Sequence, residues 1–159
     1  MPDREKLRIA GIVKESVVDG EGLRLVIFTQ GCLRACEKCH NLQAQPLAGG
    51  YEILFSELVE QIKSNPLLDG ITFSGGEPFL QAASCARLAK LIKEQCRGLN
   101  IWVYSGYYHE ELLELAIDNP GVKDLLEQLD VLIDGPYENN LCSPELPFRG
   151  SSNQRIVRF

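Results

Sequence analysis

Three cysteines and a histidine lie within one short stretch of the sequence, GCLRACEKCHN at positions 31–41. Cys32, Cys36 and Cys39 follow a C-x3-C-x2-C spacing. Thiolate ligands select zinc, copper(I) or iron–sulfur clusters. A metal site that is closed by protein needs four ligands, whereas three ligands leave one coordination position open for chemistry. The spacing therefore favours an open site, such as a 4Fe-4S cluster with three irons held by this loop and the fourth iron available to an outside ligand.

Two other kinds of metal site are also compatible with this stretch. A structural zinc site would take His40 as its fourth ligand, although adjacent residues such as Cys39 and His40 rarely point at one tetrahedral metal. A fourth thiolate from elsewhere in the chain is the other alternative, and Cys142 in a C-terminal loop is the candidate. Cys85 and Cys96 fall in a predicted helix and are expected to be buried as small hydrophobic side chains.

A glycine-rich turn, SGGEP at 74–78, follows the next predicted strand of the chain. Gly75 and Gly76 would let the backbone approach a ligand closely, because they carry no Cβ. Their carbonyl groups can accept hydrogen bonds from an ammonium group, and Glu77 adds negative charge nearby. Alone, this stretch also fits an ordinary turn between a strand and a helix. Its place after the cysteine loop favours a binding role.

Polar side chains also follow two later strands. Tyr104 and Ser105 lie near the end of NIWVYSG at 100–106, and Asp134 ends the apolar run in DVLIDG at 130–135. The two hydroxyl groups are candidates for contacting a ribose or a carboxylate. Asp134 either shapes the turn before the next glycine or belongs to a site. Ordinary turn chemistry explains all three residues nearly as well.

The elements that must position these residues alternate along the chain. Strands are predicted at 7–14, 23–30, 70–78, 100–106 and 130–135, with a last one at 153–159. Helices are predicted at 56–63, where Ser56 is the expected N-cap, and at 79–96, 109–117 and 122–129. This alternation predicts right-handed βαβ units and a mostly parallel sheet that is covered by helices.

Binding sites in α/β folds lie outside the carboxyl ends of the strands. The turns that carry the cysteines, the glycines and the polar residues are therefore expected to meet at one edge of the sheet. The chain has 159 residues, which is too short for a barrel of eight βα units. We therefore expect a partial, open (βα) barrel in one domain, residues 1–159.

The composition limits the partners of the protein. The sequence contains 16 lysine and arginine residues and 22 acidic residues, which gives a net charge of −6. This charge argues against binding to a nucleic acid backbone. No apolar run approaches the ~18 residues that a membrane helix needs. The charged N-terminus lacks the apolar core of a signal peptide. We expect a cytoplasmic protein that binds neither nucleic acid nor membrane, with cysteines that are ligands or buried thiols rather than disulfides.

Taken together, these motifs resemble those of the radical S-adenosyl-L-methionine (SAM) superfamily. Within it the chain is similar to the glycyl-radical activases, and among these to the family that activates anaerobic ribonucleoside-triphosphate reductase. The resemblance spans nearly the whole chain and is carried by DGEGLR (19–24), FTQGCLRACEKCHN (28–41), SGGEP (74–78), IWVYSGY (101–107), DVLIDGPY (130–137) and RGSSNQR (149–155).

The resemblance implies a radical SAM oxidoreductase whose 4Fe-4S cluster is held by Cys32, Cys36 and Cys39, with SAM chelating the open iron. Reductive cleavage of SAM would generate a 5′-deoxyadenosyl radical. That radical would install a glycyl radical on the glycyl-radical subunit of anaerobic ribonucleoside-triphosphate reductase. A flavodoxin-like protein is the implied electron donor. No protein acid or base is required for hydrogen abstraction, so no catalytic side chain is predicted.

The resemblance also assigns residues to SAM binding: Lys38, Cys39, His40, Gly75, Gly76, Glu77, Tyr104, Ser105 and Asp134. It favours a place for Asp134 near SAM or the incoming peptide. Three positions depart from the family's usual pattern, and one of them is Cys142, which that pattern does not include. Glu21 stands where a proline is usual, and Lys38 stands where an aromatic residue is frequent, so His40 is the candidate for packing on the adenine ring.

Two other polar groups have mainly structural interpretations. Asp19 and Arg24 are predicted to form a local pair that braces the cysteine loop. Arg149 and the GSSNQ that follows it offer many donors, which suit either partner binding or a cap on the fold.

Other functions stay open on the sequence alone. The chain could activate a different glycyl-radical enzyme, although RGSSNQR argues against that. It could be a non-catalytic zinc or iron–sulfur module, which would leave SGGEP unexplained. It could also be an electron carrier whose cluster is fully ligated, with Cys142 as the fourth ligand.

Overall fold

The computed structural model describes residues 4–32 and 42–159, so Cys36, Lys38, Cys39 and His40 lie outside the described part of the chain. The strands are β1 (Lys6–Ser16), β2 (Arg24–Thr29), β3 (Tyr51–Leu54), β4 (Gly70–Gly75), β5 (Asn100–Tyr104), β6 (Val131–Asp134) and β7 (Arg155–Arg158). The helices are α1 (Phe55–Lys63), α2 (Ala82–Gln95), α3 (His109–Asp118) and α4 (Pro120–Gln128).

These strands form one sheet in the order β3-β1-β2-β4-β5-β6-β7. The central strands β2, β4, β5 and β6 are parallel to one another. β1, β3 and β7 are added to them in antiparallel pairings. Among the described residues no pairing joins the two edges, β3 and β7, so the sheet is not closed. This confirms the predicted α/β class and the partial, open barrel.

The side chains of the central strands alternate between two faces of the sheet. One face packs against the four helices and contains fully buried residues such as Ile27, Phe73 and Val103. Each such side chain contributes about 1.5–3 kcal/mol through its burial. The opposite face carries a smaller cluster around Trp102 and Ile133. Because the helices cover one face only, the other face is left to line a cavity.

Local signals explain most of the helices. α1 buries Leu58, Val59 and Ile62 on one face, as their spacing predicted. α4 begins with Pro120 in its first turn, and the side chain of Asn119 accepts a hydrogen bond from Val122 N at 3.3 Å.

One local prediction was wrong, and one strand was not predicted. Ser56 was predicted to cap α1, but it lies inside the helix, and the capping position is Leu54, which makes no side-chain cap hydrogen bond. The helix instead continues directly from β3, a four-residue strand that the sequence pattern did not predict. In the described ranges, no helix combines the length and the apolarity that crossing a membrane would require.

Candidate functional site

A cavity of about 720 Å³ opens where the parallel strands end. That volume lies in the range of pockets that hold small molecules and cofactors. The predicted site residues that line it are Cys32, Gly75, Gly76, Glu77, Tyr104 and Ser105. The structure thus brings together residues that are up to 73 positions apart in the sequence, as the placement of the turns predicted.

The base of the cysteine loop is closed by backbone hydrogen bonds. Gly31 N donates to Ala44 O at 2.6 Å, and Cys32 N donates to Gln45 O at 3.0 Å. The two bonds join the residues that precede and follow the stretch 33–41. Cys32 is half-buried at the cavity wall. One of the three predicted metal ligands therefore has a defined place beside the cavity.

The SGGEP turn packs directly on this base. Gly76 N donates to Thr29 O at 2.8 Å, and Glu77 N donates to Gly31 O at 2.7 Å. Gly75 has a φ of 95°, a conformation that favours glycine. A Cβ at Gly76 would lie 2.2 Å from Gly31 O. Both glycines are thus required where the turn meets the protein's own backbone, a reason that the sequence analysis did not foresee.

Glu77 is a buried carboxylate in the cavity wall, with 2% of its surface exposed. It accepts hydrogen bonds from the Ser105 hydroxyl, at 3.0 Å from either carboxylate oxygen, and from Gly106 N at 2.7 Å. It also accepts from Phe79 N at 3.1 Å. Ser105 Oγ in turn accepts from Tyr107 N at 3.0 Å. These bonds tie the turn after β4 to the turn after β5 and fix the orientation of the negative charge.

Tyr104 lies on the cavity side of the sheet next to Glu77's partners. Burial raises the pKa of its phenol above the ordinary value, and the nearby Asp19 carboxylate acts in the same direction. The guanidinium of Arg24 opposes this shift but does not outweigh it. Burial and the Asp19 carboxylate both favour the neutral phenol, which can donate a hydrogen bond, at a residue of the cavity wall.

The predicted pair of Asp19 and Arg24 is wrong. Asp19 accepts a hydrogen bond from the Ser16 hydroxyl at 2.6 Å instead. Arg24 is fully buried, donates to Thr72 Oγ1 at 2.7 Å and lies 5.2 Å from the centroid of a Trp102 ring. Burial lowers the pKa of Arg24 to about 10. Because Arg24 starts β2 and the cysteine loop follows the other end of that strand, it fastens the base of the sheet rather than the loop.

Asp134 is fully buried and does not lie among the residues of the cavity wall. Its carboxylate accepts hydrogen bonds from His109 N at 2.8 Å and from Arg155 Nε at 3.0 Å. Arg155 also forms an ion pair with Glu110 at 2.7 Å, and these two carboxylates raise the pKa of Arg155. Asp134 thus joins β6 and β7 to the start of α3, and a contact with SAM or peptide stays a prediction.

The C-terminal segment contributes a wall of the cavity that the sequence analysis missed. Its lining residues include Phe148 and Arg149. Phe148 has a φ of 59°, and its ring lies edge-on to Trp102 at 5.4 Å between centroids. Arg149, Gly150 and Gln154 also line it and had a sequence signal, through RGSSNQR, whereas Phe148 had none. Val17 and Val18, in the turn between β1 and β2, also line the cavity.

The remaining cysteines of the described residues are separate from the cavity. Cys85 is fully buried, and burial raises the pKa of its thiol. Cys96 is half-buried, and burial likewise raises the pKa of its thiol. Cys142 is exposed. The prediction of burial is confirmed for Cys85 and holds in part for Cys96.

Metal-binding side chains do not cluster elsewhere in the described ranges: no group of three or more histidine, cysteine or acidic residues there is placed to hold a metal ion. The predicted ligands Cys36 and Cys39 lie outside these ranges.

Comparison with known proteins identifies the family. The model of the 4Fe-4S single cluster domain family matches residues 18–157. The anaerobic ribonucleoside-triphosphate reductase-activating protein of Haemophilus influenzae is 35% identical over 151 residues, which cover 90% of this chain and 92% of that protein. The protein with the same description from Escherichia coli K12 is 32% identical over 148 residues, covering 88% and 91% of the two chains. Its counterpart in phage T4 is 32% identical over 144 residues, covering 87% and 86%.

The fold also has a solved relative. The crystal structure of QueE from Escherichia coli superposes with a TM-score of 0.51 at 16% identity, covering 67% of this chain and 54% of that chain. At this identity the likeness shows a shared fold. Sequence identity over about nine-tenths of each bacterial relative shows more: the chain belongs to the 4Fe-4S single cluster domain family and, within it, to the family of anaerobic ribonucleoside-triphosphate reductase-activating proteins.

Proposed function

We propose that this chain is a radical SAM activating enzyme that cleaves SAM reductively at a 4Fe-4S cluster and installs a glycyl radical on anaerobic ribonucleoside-triphosphate reductase. One observation carries the proposal. In a chain of the reductase-activating family, Cys32 and the SGGEP turn line the same cavity. When bound, the cluster and SAM supply the one-electron chemistry that no side chain provides.

The residues around the cavity suit this cofactor pair. Cys32 provides a thiolate at the cavity wall, and Cys36 and Cys39 are the proposed further ligands from the same loop. Thiolates are the ligands that iron–sulfur clusters prefer. The cavity of about 720 Å³ lies in the size range of pockets that hold a cofactor-sized molecule.

The buried carboxylate of Glu77 gives the cavity wall a fixed negative charge. An ammonium group is the natural partner of such a charge, since charge-assisted hydrogen bonds are the stronger ones. We assign the amine of SAM to this side of the cavity, beside the carbonyl groups of Gly75 and Gly76. Ser105 then acts through Glu77, because its hydroxyl donates to that carboxylate. Tyr104 supplies a neutral phenol for a ribose or carboxylate oxygen.

Two sets of residues belong to the proposal by family pattern. Lys38, Cys39 and His40 are assigned to the SAM side of the cysteine loop, with His40 packing on adenine. Asp134 is assigned by the same pattern to a place near SAM or the incoming peptide, and it directly precedes Gly135, which lines the cavity. These assignments rest on the positions of the residues in the motifs.

The reductase must bring a glycine to the cavity. Val17 and Val18, which line the cavity, are 67% and 71% exposed, so a partner segment can reach them. A flavodoxin-like protein is the proposed electron donor. The cytoplasm is the proposed compartment, which agrees with the free thiols of Cys85, Cys96 and Cys142.

The test is an anaerobic SAM cleavage assay. The protein is reconstituted with iron and sulfide, reduced and mixed with SAM, and 5′-deoxyadenosine is measured. We expect product from the wild type and from Cys85→Ala, whose thiol is buried away from the cavity. We expect none from Cys32→Ala, Cys36→Ala or Cys39→Ala, because each removes a ligand. Full activity in any of those three would refute the ligand assignment.

The target is tested separately by electron paramagnetic resonance. Addition of the reductase and SAM to the reduced protein should give a glycyl radical on the reductase, and none when its glycine is replaced with alanine. A colourless protein that holds one zinc would contradict the proposal. So would a brown protein that leaves SAM intact even with reductase present, which would instead indicate an electron carrier.

A further inference from the structure

The cysteine loop is fastened at its base by a run of four consecutive carbonyl groups. We call residues 43–46, which follow the loop, the return arm. All four carbonyls accept hydrogen bonds from the three residues that follow β2 and enter the loop. In the order 43 to 46, the donors are Gln30 Nε2 (3.0 Å), Gly31 N (2.6 Å), Cys32 N (3.0 Å) and Gln30 Nε2 (2.6 Å). The carboxamide of Gln30 thus adds one bond on either side of the two backbone bonds.

The carboxamide of Gln30 is enclosed by the chain that follows the return arm. Gln30 has 3% of its surface exposed. A Cβ at Gly49 would lie 2.6 Å from Gln30 Nε2, and a Cβ at Gly50 would lie 2.9 Å from Gln30 Cγ. The Arg8 guanidinium donates a hydrogen bond to Gly49 O at 2.9 Å and so holds the segment after the return arm in place. Both amide hydrogens are therefore committed to the return arm, because a buried donor without an acceptor is costly.

We propose that Gln30 is a positioning residue for the metal site: its carboxamide holds the return arm against the end of β2 and fixes the separation of the two loop ends before metal binds. Cys36 and Cys39 lie between those ends in the sequence. Closing the base limits the space that their thiols can sample, so less conformational entropy is lost when the ligands gather. The identity of the bound cluster rests on the proposed function, whereas the closure of the loop does not.

A pair of glutamine variants tests the inference. Gln30→Met keeps the length of the side chain and removes both donors. Gln81→Met is the matched control. The Gln81 carboxamide accepts a hydrogen bond from Arg8 N and donates to Arg8 O and Gln30 O, and none of these bonds goes to the return arm. Both variants should retain the circular dichroism spectrum of the wild type.

The first readout is the rate at which the reconstituted protein loses iron to a ferrous chelator. We expect loss about 10-fold faster in Gln30→Met than in the wild type, as one or two buried hydrogen bonds would produce. Gln81→Met should stay within about 2-fold of the wild type, since it leaves the base of the loop intact.

The second readout uses the metal-free protein. Trypsin can cut the loop after Arg34 and Lys38, and mass spectrometry reports the cleavage rate at each site. We expect cleavage there to be about 10-fold faster in Gln30→Met, and unchanged in Gln81→Met, because opening the base exposes the loop to the protease. Gly49→Ala should act in the same direction as Gln30→Met, since its Cβ would displace the carboxamide; it also carries the test should Gln30→Met not fold.

Equal behaviour of Gln30→Met and Gln81→Met in both readouts would overturn the inference, as would a Gly49→Ala protein that matches the wild type. If the wild type takes up no iron, the proposed function fails. The tryptic comparison in metal-free protein still decides whether Gln30 closes the loop.

Discussion

Replacement of Gly76 with alanine tests whether the SGGEP turn and the cysteine loop pack as one unit. A Cβ at this position would lie 2.2 Å from Gly31 O and 2.7 Å from Ala44 O. Both are backbone atoms, so no side-chain rotation relieves the contact, and the base of the loop must move. That movement weakens the hydrogen bond from Glu77 N to Gly31 O.

The expected cost follows from these contacts. Overpacking costs about 1–3 kcal/mol, and a weakened buried hydrogen bond costs about 1 kcal/mol more. We expect the free energy of unfolding of the metal-free protein to fall by about 3 kcal/mol, which lowers Tm by about 6–12 °C in a chain of this size. Urea and thermal unfolding followed by circular dichroism measure both quantities.

Gly11→Ala is the matched control for this prediction. A Cβ at Gly11 has no atom within 4 Å, and its φ is ordinary. The free energy of unfolding of Gly11→Ala should stay within about 0.5 kcal/mol of the wild type. If Gly76→Ala unfolds at the same temperature as Gly11→Ala, the close packing of the turn on the loop is refuted.

Two further predictions concern the network around the cavity and the outer ion pair. Ser105→Ala removes the hydroxyl that donates to Glu77 and accepts from Tyr107 N, so we expect a loss of about 1–3 kcal/mol of stability together with weaker SAM binding in equilibrium dialysis. The exposed Ser152→Ala is its control, and unchanged SAM affinity in Ser105→Ala would contradict the assigned part of Ser105. For the ion pair, the hydrogen bond from Arg155 lowers the pKa of Glu110 from 4.5 to about 2. Because this folded-state pKa is depressed, the stabilisation is present above pH 4.5 and is lost as the pH falls toward 2. The Tm of Glu110→Gln should therefore lie below that of the wild type by a constant amount at neutral pH, and the two should converge in acid; a gap that widens in acid would refute the pairing.

Local sequence signals predicted much of the fold. Short apolar, β-branched runs placed β2 and β4, and helical periodicity placed α1 and α2, within a few residues of their observed bounds. The runs are continuous because both faces of these central strands are buried, whereas a helix buries one face and so imposes its own period on the sequence. β3 had no such signal: four residues are too few to show a period, and its stability comes from pairing with β1.

The partners of polar residues were harder to predict. Arg24 was assigned to Asp19, five residues away, but its guanidinium donates to Thr72 on the neighbouring strand. Asp134 was predicted to lie near SAM or the incoming peptide, which stays a prediction; its carboxylate accepts a hydrogen bond from Arg155 on β7, a partner that the sequence did not indicate. Both partners are remote in sequence and adjacent only because the strands are neighbours in the sheet. The Gln30 carboxamide donates to backbone carbonyl groups, which every residue has. The residue types at 43–46 therefore could not predict this contact.

The sequence by itself determined the kind of chemistry and the edge where it takes place. Three closely spaced cysteines predict thiolate ligands, and a turn that follows a parallel strand is predicted to lie at the carboxyl edge of the sheet. Both predictions need only the order of neighbouring residues in the sequence. Only the tertiary structure decided how the site is held: by Glu77 joined to Ser105, by Gly76 packed on Gly31, and by Gln30 closing the loop. Those contacts depend on which strands become neighbours and how closely their backbones approach, and no local pattern of residue types encodes either quantity.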